Sequence, residues 1–470
     1  MSNAEFSRRA FLAAATVATT VTVSVQNKVN AAKVVPGKIS PNEKLNIAAI
    51  GTGGKGGSDT NGCKEENIIA VCDVDWDRAE RTLNSPHFEG RDYVKYTDYR
   101  NMLDDLGEKI DAVTITTPDH THAPAAYMAM KMGIHCYVQK PLTHTVAEAR
   151  LLKNVAAETG VVTQMGNQGH SGDGVRQVTE MLETGAIGQV REAHVWTHRP
   201  VWRNQGMDKP LPPMRTPENM DWDRWIGAAQ WRPYNKQLAP HDWRAWRDFG
   251  GGALGDMACH IMDPVYMSLN LVAATEYTVE VIKQEGANKE TFPLLSTIKY
   301  SFPARGKLAA IDVYWYDGHV PDPKNKRKEI YNRPNRPKDI PLADIMGDDN
   351  KNGSLLVGDD GYITMGEYGG NPRLLPDAKM ADYTRPDPYI KRVPNQNHYR
   401  DWLAAIHNGT KSGSDFSYAG PFTEMVNFGN LVVVSGKKLK WDNVKGVVKN
   451  VKNPEEIVSK EYRKGWELPC

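Results

Sequence analysis

Asn46-Ile47-Ala48-Ala49-Ile50-Gly51-Thr52-Gly53-Gly54-Lys55-Gly56-Gly57 is an apolar run that ends abruptly in glycines. Gly51, Gly53 and Gly56 fit G-x-G-x-x-G, the turn from a strand into a helix that receives a pyrophosphate. The first glycine permits the tight turn, the second lets a phosphate approach the backbone, and the third lets helix pack closely on strand. Gly54, inside the same loop, is a further candidate contact. The helix N-terminus adds free N–H groups and the positive end of a dipole.

The pattern gains meaning from its surroundings. Ile68–Cys72 reads as a second strand that ends at Asp73, 22 positions beyond Gly51, where an acid can hold ribose hydroxyls. A solvated turn acid is the plainer alternative. An acid there repels a 2′-phosphate, which favours NAD over NADP, while Arg78 leaves NADP open.

Working outward, strand-like runs at 45–50, 68–72, 112–116 and 135–139 alternate with helical stretches at 99–106 and 123–132, and 161–164 reads as a further strand. That rhythm predicts a doubly wound parallel sheet over residues 44–166. Beyond residue 167 the texture changes. Runs at 190–198, 275–282, 296–302, 307–316 and 361–365 alternate apolar and polar residues, which predicts an open, mostly antiparallel sheet in an α/β domain over 167–470. Helices are expected at 174–184, 399–407 and 422–435. The basic, proline-rich stretch 324–338 precedes Asp339, Asp344, Asp348 and Asp349, so it reads as a solvated loop and not as a nucleic-acid patch.

Upstream, Ser7-Arg8-Arg9-Ala10-Phe11-Leu12 is a twin-arginine pattern ahead of a weakly apolar run. Five Ser and Thr residues interrupt that run between Ala13 and Val25, which makes it a poor membrane span. Residues 1–32 therefore read as a Tat export signal, an address and not an anchor, with residues 33–43 as a linker. A disordered N-terminus of a cytosolic protein is the alternative.

Over 470 residues the net charge is +1, which argues against DNA or an anionic membrane as partner. The five cysteines are scattered without a C-x-x-C, so neither a disulfide framework nor a zinc site is suggested. Twelve tryptophans could offer faces to sugar rings, although core packing explains most of them more simply.

In open α/β sheets, ligands bind beyond the carboxyl ends of the strands. Besides the glycine loop, two loops emerge there: Thr116-Thr117-Pro118-Asp119-His120-Thr121-His122 and Gln139-Lys140-Pro141. Thr117, Pro118, His120, His122, Gln139 and Lys140 are thus candidate cofactor contacts. Lys140 is also placed to hold or deprotonate a substrate hydroxyl. Farther on, Gly250-Gly251-Gly252 leads into a helix carrying Asp256 and His260, which share one face at i, i+4. A carboxylate beside an imidazole would orient the ring and raise its basicity, a sensible acid/base pair; a structural pair is the other reading.

Together these residues resemble the glucose–fructose oxidoreductase/inositol dehydrogenase (Gfo/Idh/MocA) family. The likeness spans Lys44 to Asp442. It rests on the glycine loop, T-P-D-H-x-H, Lys140-Pro141 and the Asp256/His260 helix in that order. It looks closest to an exported branch, with Gly166-Asn167-Gln168-Gly169-His170, Asp221-Trp222-Asp223-Arg224-Trp225-Ile226-Gly227 and Trp243-Arg244-Ala245-Trp246. The resemblance implies a Rossmann domain plus an α/β domain whose open sheet serves oligomerisation, as a dimer or tetramer. It further implies Lys140, Asp256 and His260 as the catalytic trio and a carbohydrate or polyol substrate. Asn167, His198 and Arg244 are candidate substrate contacts beside them. Gln139 stands where the family has glutamate, which removes a charge near Lys140.

The expected activity is NAD-dependent hydride transfer at a sugar carbinol with a tightly held cofactor. A close variant uses transient oxidation to eliminate and hydrolyse a glycoside. Metal-dependent hydrolysis through His120, His122, Asp256 and His260, and a catalytically silent binding scaffold, are the competing readings.

Overall fold

Short apolar runs bounded by glycines and turn residues become parallel strands here because helices cover both faces of the sheet. β1 (Asn46–Ile50), β2 (Asn67–Cys72), β3 (Val94–Tyr96), β4 (Ala112–Ile115), β5 (His135–Val138) and β6 (Thr163–Met165) stand in the order β3-β2-β1-β4-β5-β6, parallel throughout. That order reverses direction between β1 and β4, and a crevice opens at such a switch point. The computed structural model describes residues 43–334 and 351–470. The expected export segment 1–32, all but the last residue of the 33–43 linker, and Asp339, Asp344, Asp348 and Asp349 lie outside the described residues.

Two helices begin earlier than their sequence suggests, and each contains a proline. Asp119–Lys131 includes Pro124, and Phe416–Ser435 includes Pro421. A proline removes one backbone hydrogen bond, to the carbonyl four residues back. At Pro124 that carbonyl belongs to His120, and Lys460 Nζ donates to it at 3.4 Å. At the second helix the Asp415 side chain caps the start, accepting from Ser417 N and Tyr418 N.

The alternating runs of the second half form a ten-stranded sheet. Its strands are β7 (Val190–Trp196), β8 (Glu276–Glu285), β9 (Leu295–Phe302), β10 (Ile311–Asp322), β11 (Asn325–Tyr331), β12 (Gly353–Gly358), β13 (Gly361–Met365), β14 (Arg373–Leu375), β15 (Leu439–Asp442) and β16 (Val447–Val448). Their order is β14-β13-β12-β7-β10-β9-β8-β15-β16, with β11 paired to β10. Only β7 and β10 run parallel, Val313 facing Ala193 and Trp315 facing Val195. The sheet is therefore mostly antiparallel. One expectation fails: β11 occupies part of 324–338, which the charge pattern suggested was a loop. Backbone pairing with β10 carries this strand, Val320 opposite Ile330.

Phe422 and Phe428 of the long helix Phe416–Ser435 sit in one buried core with Ile115 and Val138 of the first sheet and Ile298 and Trp315 of the second. Trp402, Leu403 and Ile406, from the helix His398–Asn408, pack on Leu45, Ile47 and Tyr137. The C-terminal third thus returns to cover the parallel sheet. Five of the tryptophans, Trp202, Trp222, Trp225, Trp243 and Trp246, form a separate aromatic core, and Trp225 and Trp243 also line the cavity described below. All five cysteines are free thiols, four of them buried.

Candidate active site

A cavity of about 390 Å³ runs along the carboxyl ends of β1 and β4, from Gly51, Gly53 and Asp73 at one end to Lys140, Arg244 and His260 at the other. At the first end the glycines are sterically required. Gly51 has φ +79, and a Cβ there would lie 2.5 Å from Thr116 O. A Cβ on Gly56 would lie 2.0 Å from Gly51 O. Arg78 packs against Gly53 and Gly54, 3.0 Å and 2.7 Å from where their Cβ atoms would stand.

Asp73 sits where the spacing places it and ties the loop down. Its Oδ2 accepts from Thr52 N at 2.7 Å and Gly53 N at 3.1 Å, and its Oδ1 from Asp75 N at 3.0 Å. Thr52 Oγ1 also donates to Oδ2 at 3.3 Å, so Oδ2 is fully engaged, while Oδ1, with Asp75 N alone, keeps a lone pair for a ribose hydroxyl. A backbone cradle that tolerates no side chain, followed by an acid with a spare acceptor, fits a dinucleotide.

At the other end, Lys140 follows β5 and reaches across to the helix Gly252–Ile261. Its Nζ donates to Asp256 Oδ1 at 2.8 Å and Asp256 O at 2.7 Å. Arg244 Nε lies 3.3 Å from the same Oδ1 and Arg199 Nε 3.6 Å from Oδ2. Burial pushes the Asp256 carboxyl up, but Lys140, Arg244 and Arg199 outweigh it and hold it well below the usual carboxylate range. Asp119, beside them, donates nothing and accepts from Gly251 N at 3.0 Å. Burial lifts it to about 7 against the pull of Lys140 and Arg244.

His260 differs from the sequence expectation. Asp256 is occupied by cations and makes no hydrogen bond to the ring. Burial, then the Lys140 charge, pushes the imidazole down to about 3, despite the opposing pull of Asp256. The ring is therefore neutral, and its buried Nδ1 has no hydrogen-bond partner. A buried orphan of this kind costs about 1–3 kcal/mol and marks a place for a ligand atom.

Gln139 donates from Nε2 to Asp59 Oδ2 at 2.8 Å, and Asp59 also accepts from Thr116 Oγ1 and Tyr399 OH. A glutamate at 139 would face this buried carboxylate directly, which explains the amide. Thr117, Pro118 and Gln139 line the cavity as expected.

Four candidates lie elsewhere. His120 is fully buried, with its nitrogens 3.3 Å from Phe249 O and 3.0 Å from Trp225 O. His122 spans Pro141 O at 2.8 Å and Thr117 O at 2.9 Å. Burial lowers them to about 3 and about 4. Both stand behind the cavity wall and brace its loops, so neither ring lines the cavity. No metal-ligand cluster occurs among the described residues. Asn167 is fully buried and accepts from Ser414 Oγ, leaving neighbouring Gln168 to line the cavity. His198 points to Asn352 Oδ1 at 3.3 Å, and its neighbour Arg199 reaches Asp256 instead.

Two family signatures match in succession. "Oxidoreductase family, NAD-binding Rossmann fold" matches residues 45–167, and "Oxidoreductase family, C-terminal alpha/beta domain" matches residues 172–307. The chain belongs to the Gfo/Idh/MocA family. Among similar members, inositol 2-dehydrogenase of Salmonella typhimurium is 27% identical over 128 residues, 27% of this chain and 37% of its own. Glycosyl hydrolase family 109 protein 1 of a Shewanella species is 29% identical over 232 residues, 44% of this chain and 50% of its own. The chain thus spans half or less of the length of these curated relatives. Levoglucosan dehydrogenase, solved with NADH and levoglucosan, shares the fold: TM-score 0.53, 15% identity, 85% of this chain and 99% of that one.

Three residues in or beside the cavity of this Gfo/Idh/MocA member escape a reading of its motifs. Arg199 follows β7 and was hidden beside His198. Tyr368 has φ +61, a left-handed conformation uncommon outside glycine, and sets its ring edge-on to His260 at 4.9 Å. Gly169 lies beneath it, a Cβ there falling 2.6 Å from the Tyr368 ring. Trp466, near the C-terminus, lines the nucleotide end. Arg100 lies over its ring at 4.1 Å, and Arg463 holds the tail through Asp223 at 2.6 Å. The Gly-Trp pair of this tail was its sole signal.

Proposed function

We propose that the protein is an NAD-dependent oxidoreductase that takes hydride from a carbinol of a sugar or polyol and keeps its cofactor bound. The observation that carries this reading is that one cavity joins the glycine cradle and Asp73 to Lys140 and His260, with Asp256 bonded to Lys140. Gly51, Gly53, Gly54, Gly56, Asp73, Thr117, Pro118 and Gln139 would hold the dinucleotide, and Trp466 would close its adenosine end. Asp73 favours NAD, while Arg78 against Gly54 leaves NADP open. The bound nicotinamide supplies the hydride acceptor.

The chain's own groups handle the proton. The Lys140 ammonium, fixed by Asp256, is placed to hold the reacting hydroxyl. His260, neutral and with Nδ1 unpaired, is a weak base but is placed to accept the proton in step with hydride departure, when the hydroxyl becomes strongly acidic. Asp256 keeps Lys140 oriented and offsets its charge.

Two further parts of the reading rest on sequence and resemblance: export through the Tat-like segment around Arg8 and Arg9, and assembly as a homo-oligomer. Export favours a cofactor reset within the site, since free NAD is scarce outside the cytoplasm. The similarity to a glycosyl hydrolase family 109 protein supports the second reading, in which transient oxidation permits elimination and hydrolysis of a glycoside. Mass spectrometry of small molecules released by denaturing the purified protein tests the central reading. Release of NAD(H) is expected; a protein that carries none and takes up none would contradict it.

A further inference from the structure

Three cations crowd one carboxylate at the substrate end. Lys140, Arg244 and Arg199 lie 2.8, 3.3 and 3.6 Å from Asp256. Asp256 carries one negative charge against these three positive ones, and the groups facing them offset the remainder only in part. His260 is neutral. Asp119, lifted to about 7 by burial, carries a partial charge near neutral pH. Glu367, which accepts from Asn352 Nδ2 at 2.8 Å, brings one further negative charge. The nicotinamide end of a dinucleotide brings no negative charge.

We propose that the substrate carries an oxyanion group, a carboxylate, phosphate or sulfate on the sugar, received by Arg199 and Arg244. This rests on the oxidoreductase reading of the same cavity. Three observations support it. The Arg199 Nε is buried and lacks a hydrogen-bond partner, since its 3.6 Å approach to Asp256 is too long for a bond. Both guanidinium side chains stay partly open, 31% and 26% exposed. Arg244 is held in place over the Trp243 ring at 4.3 Å. A guanidinium fork matches carboxylate and phosphate geometry with two parallel bonds. A neutral sugar could offer these guanidinium groups hydroxyl acceptors but no opposite charge as it displaces water from them, which is costly.

The test titrates matched sugars into the full chain loaded with NADH and measures binding by calorimetry. The panel pairs D-glucose with D-glucuronate and D-glucose 6-phosphate, and D-galactose with its uronate and 6-sulfate. In at least one pair the charged member should bind about tenfold tighter or more, with the advantage shrinking as salt rises. Arg199→Gln should bring it down to the level of its neutral partner, and Arg199→Lys should recover part of it. Preference for the uronate or for the phosphate and sulfate tells which oxyanion is read. The proposal is overturned if no charged member binds tighter than its neutral counterpart. It is also overturned if the advantage survives in both Arg199→Gln and Arg244→Gln. Nucleotide content measured on the same sample separates this failure from failure of the oxidoreductase reading.

Discussion

The nucleotide end of the cavity is made by one short stretch of chain, Gly51 to Gly56, with Asp73 closing the loop through its backbone amides. The substrate end is assembled from five separate segments, which bring in Lys140, Arg199, Arg244, Asp256 with His260, and Tyr368. The first end is backbone presented by glycine; the second is side-chain charge held in balance around Asp256. Substitutions at the two ends should therefore fail differently: the first should lose ligand, the second chemistry.

The largest effect is expected at the substrate end. Lys140→Ala and His260→Ala should each lower turnover roughly 100- to 10,000-fold, the range for a positioned acid or base. Retained nucleotide and an unchanged melting profile should accompany that loss. Variants that shed the nucleotide or unfold would erase the distinction between the ends. At the nucleotide end, Gly56→Val forces a Cβ against Gly51 O. Overpacking costs about 1–3 kcal/mol, so equilibrium dialysis should show NAD binding weakened by about 5- to 160-fold. Normal binding would break the loop assignment.

That contrast also explains what the sequence made legible. Gly51, Gly56 and Asp73 answer to local geometry at fixed spacing, so their roles could be read directly. The parallel sheet, the Lys140 loop and the Asp256/His260 helix were legible for the same reason. Arg199 and Tyr368 join the site through pairing in the second sheet and a left-handed turn, which no local pattern announces. His120 and His122 were expected at the cofactor because their loop leaves β4 at the ligand-binding edge of the sheet, whereas the helix Asp119–Lys131 turns both rings toward backbone carbonyls behind the wall. The basicity expected for His260 failed because Lys140 and the arginines claim Asp256 first.

The bracing histidines provide a pH test. Burial holds His120, His122 and His260 neutral, with folded values of about 3, 4 and 3 against 6.5 when unfolded. Below pH 6.5 the unfolded chain takes up protons that the folded chain refuses. Their stabilising contribution is thus full above pH 6.5 and is lost as pH falls toward 3–4, by about 1.4 kcal/mol per pH unit for each ring. Thermal melts should show the midpoint falling steadily between pH 6.5 and 4, and His122→Asn should flatten the slope. A flat profile would return these rings to exposed positions.

The smallest effect belongs to the tail. Trp466→Ala removes one wall of the nucleotide end, and an aromatic contact of this kind is worth about 1 kcal/mol. Stopped-flow fluorescence should show NADH leaving roughly five times faster, with turnover per bound cofactor unchanged. An altered chemical rate would mean that the two ends are coupled through the tail.

The claim that one cavity joins both ends is tested most directly by following the hydride itself. Sugars deuterated at the carbinol carbons are incubated with the protein and its own bound nucleotide, which is then recovered and analysed by mass spectrometry. The account predicts deuterium on the nicotinamide ring, in the wild type and not in Lys140→Ala. Nucleotide recovered during the first turnover with no deuterium on its nicotinamide ring would contradict it.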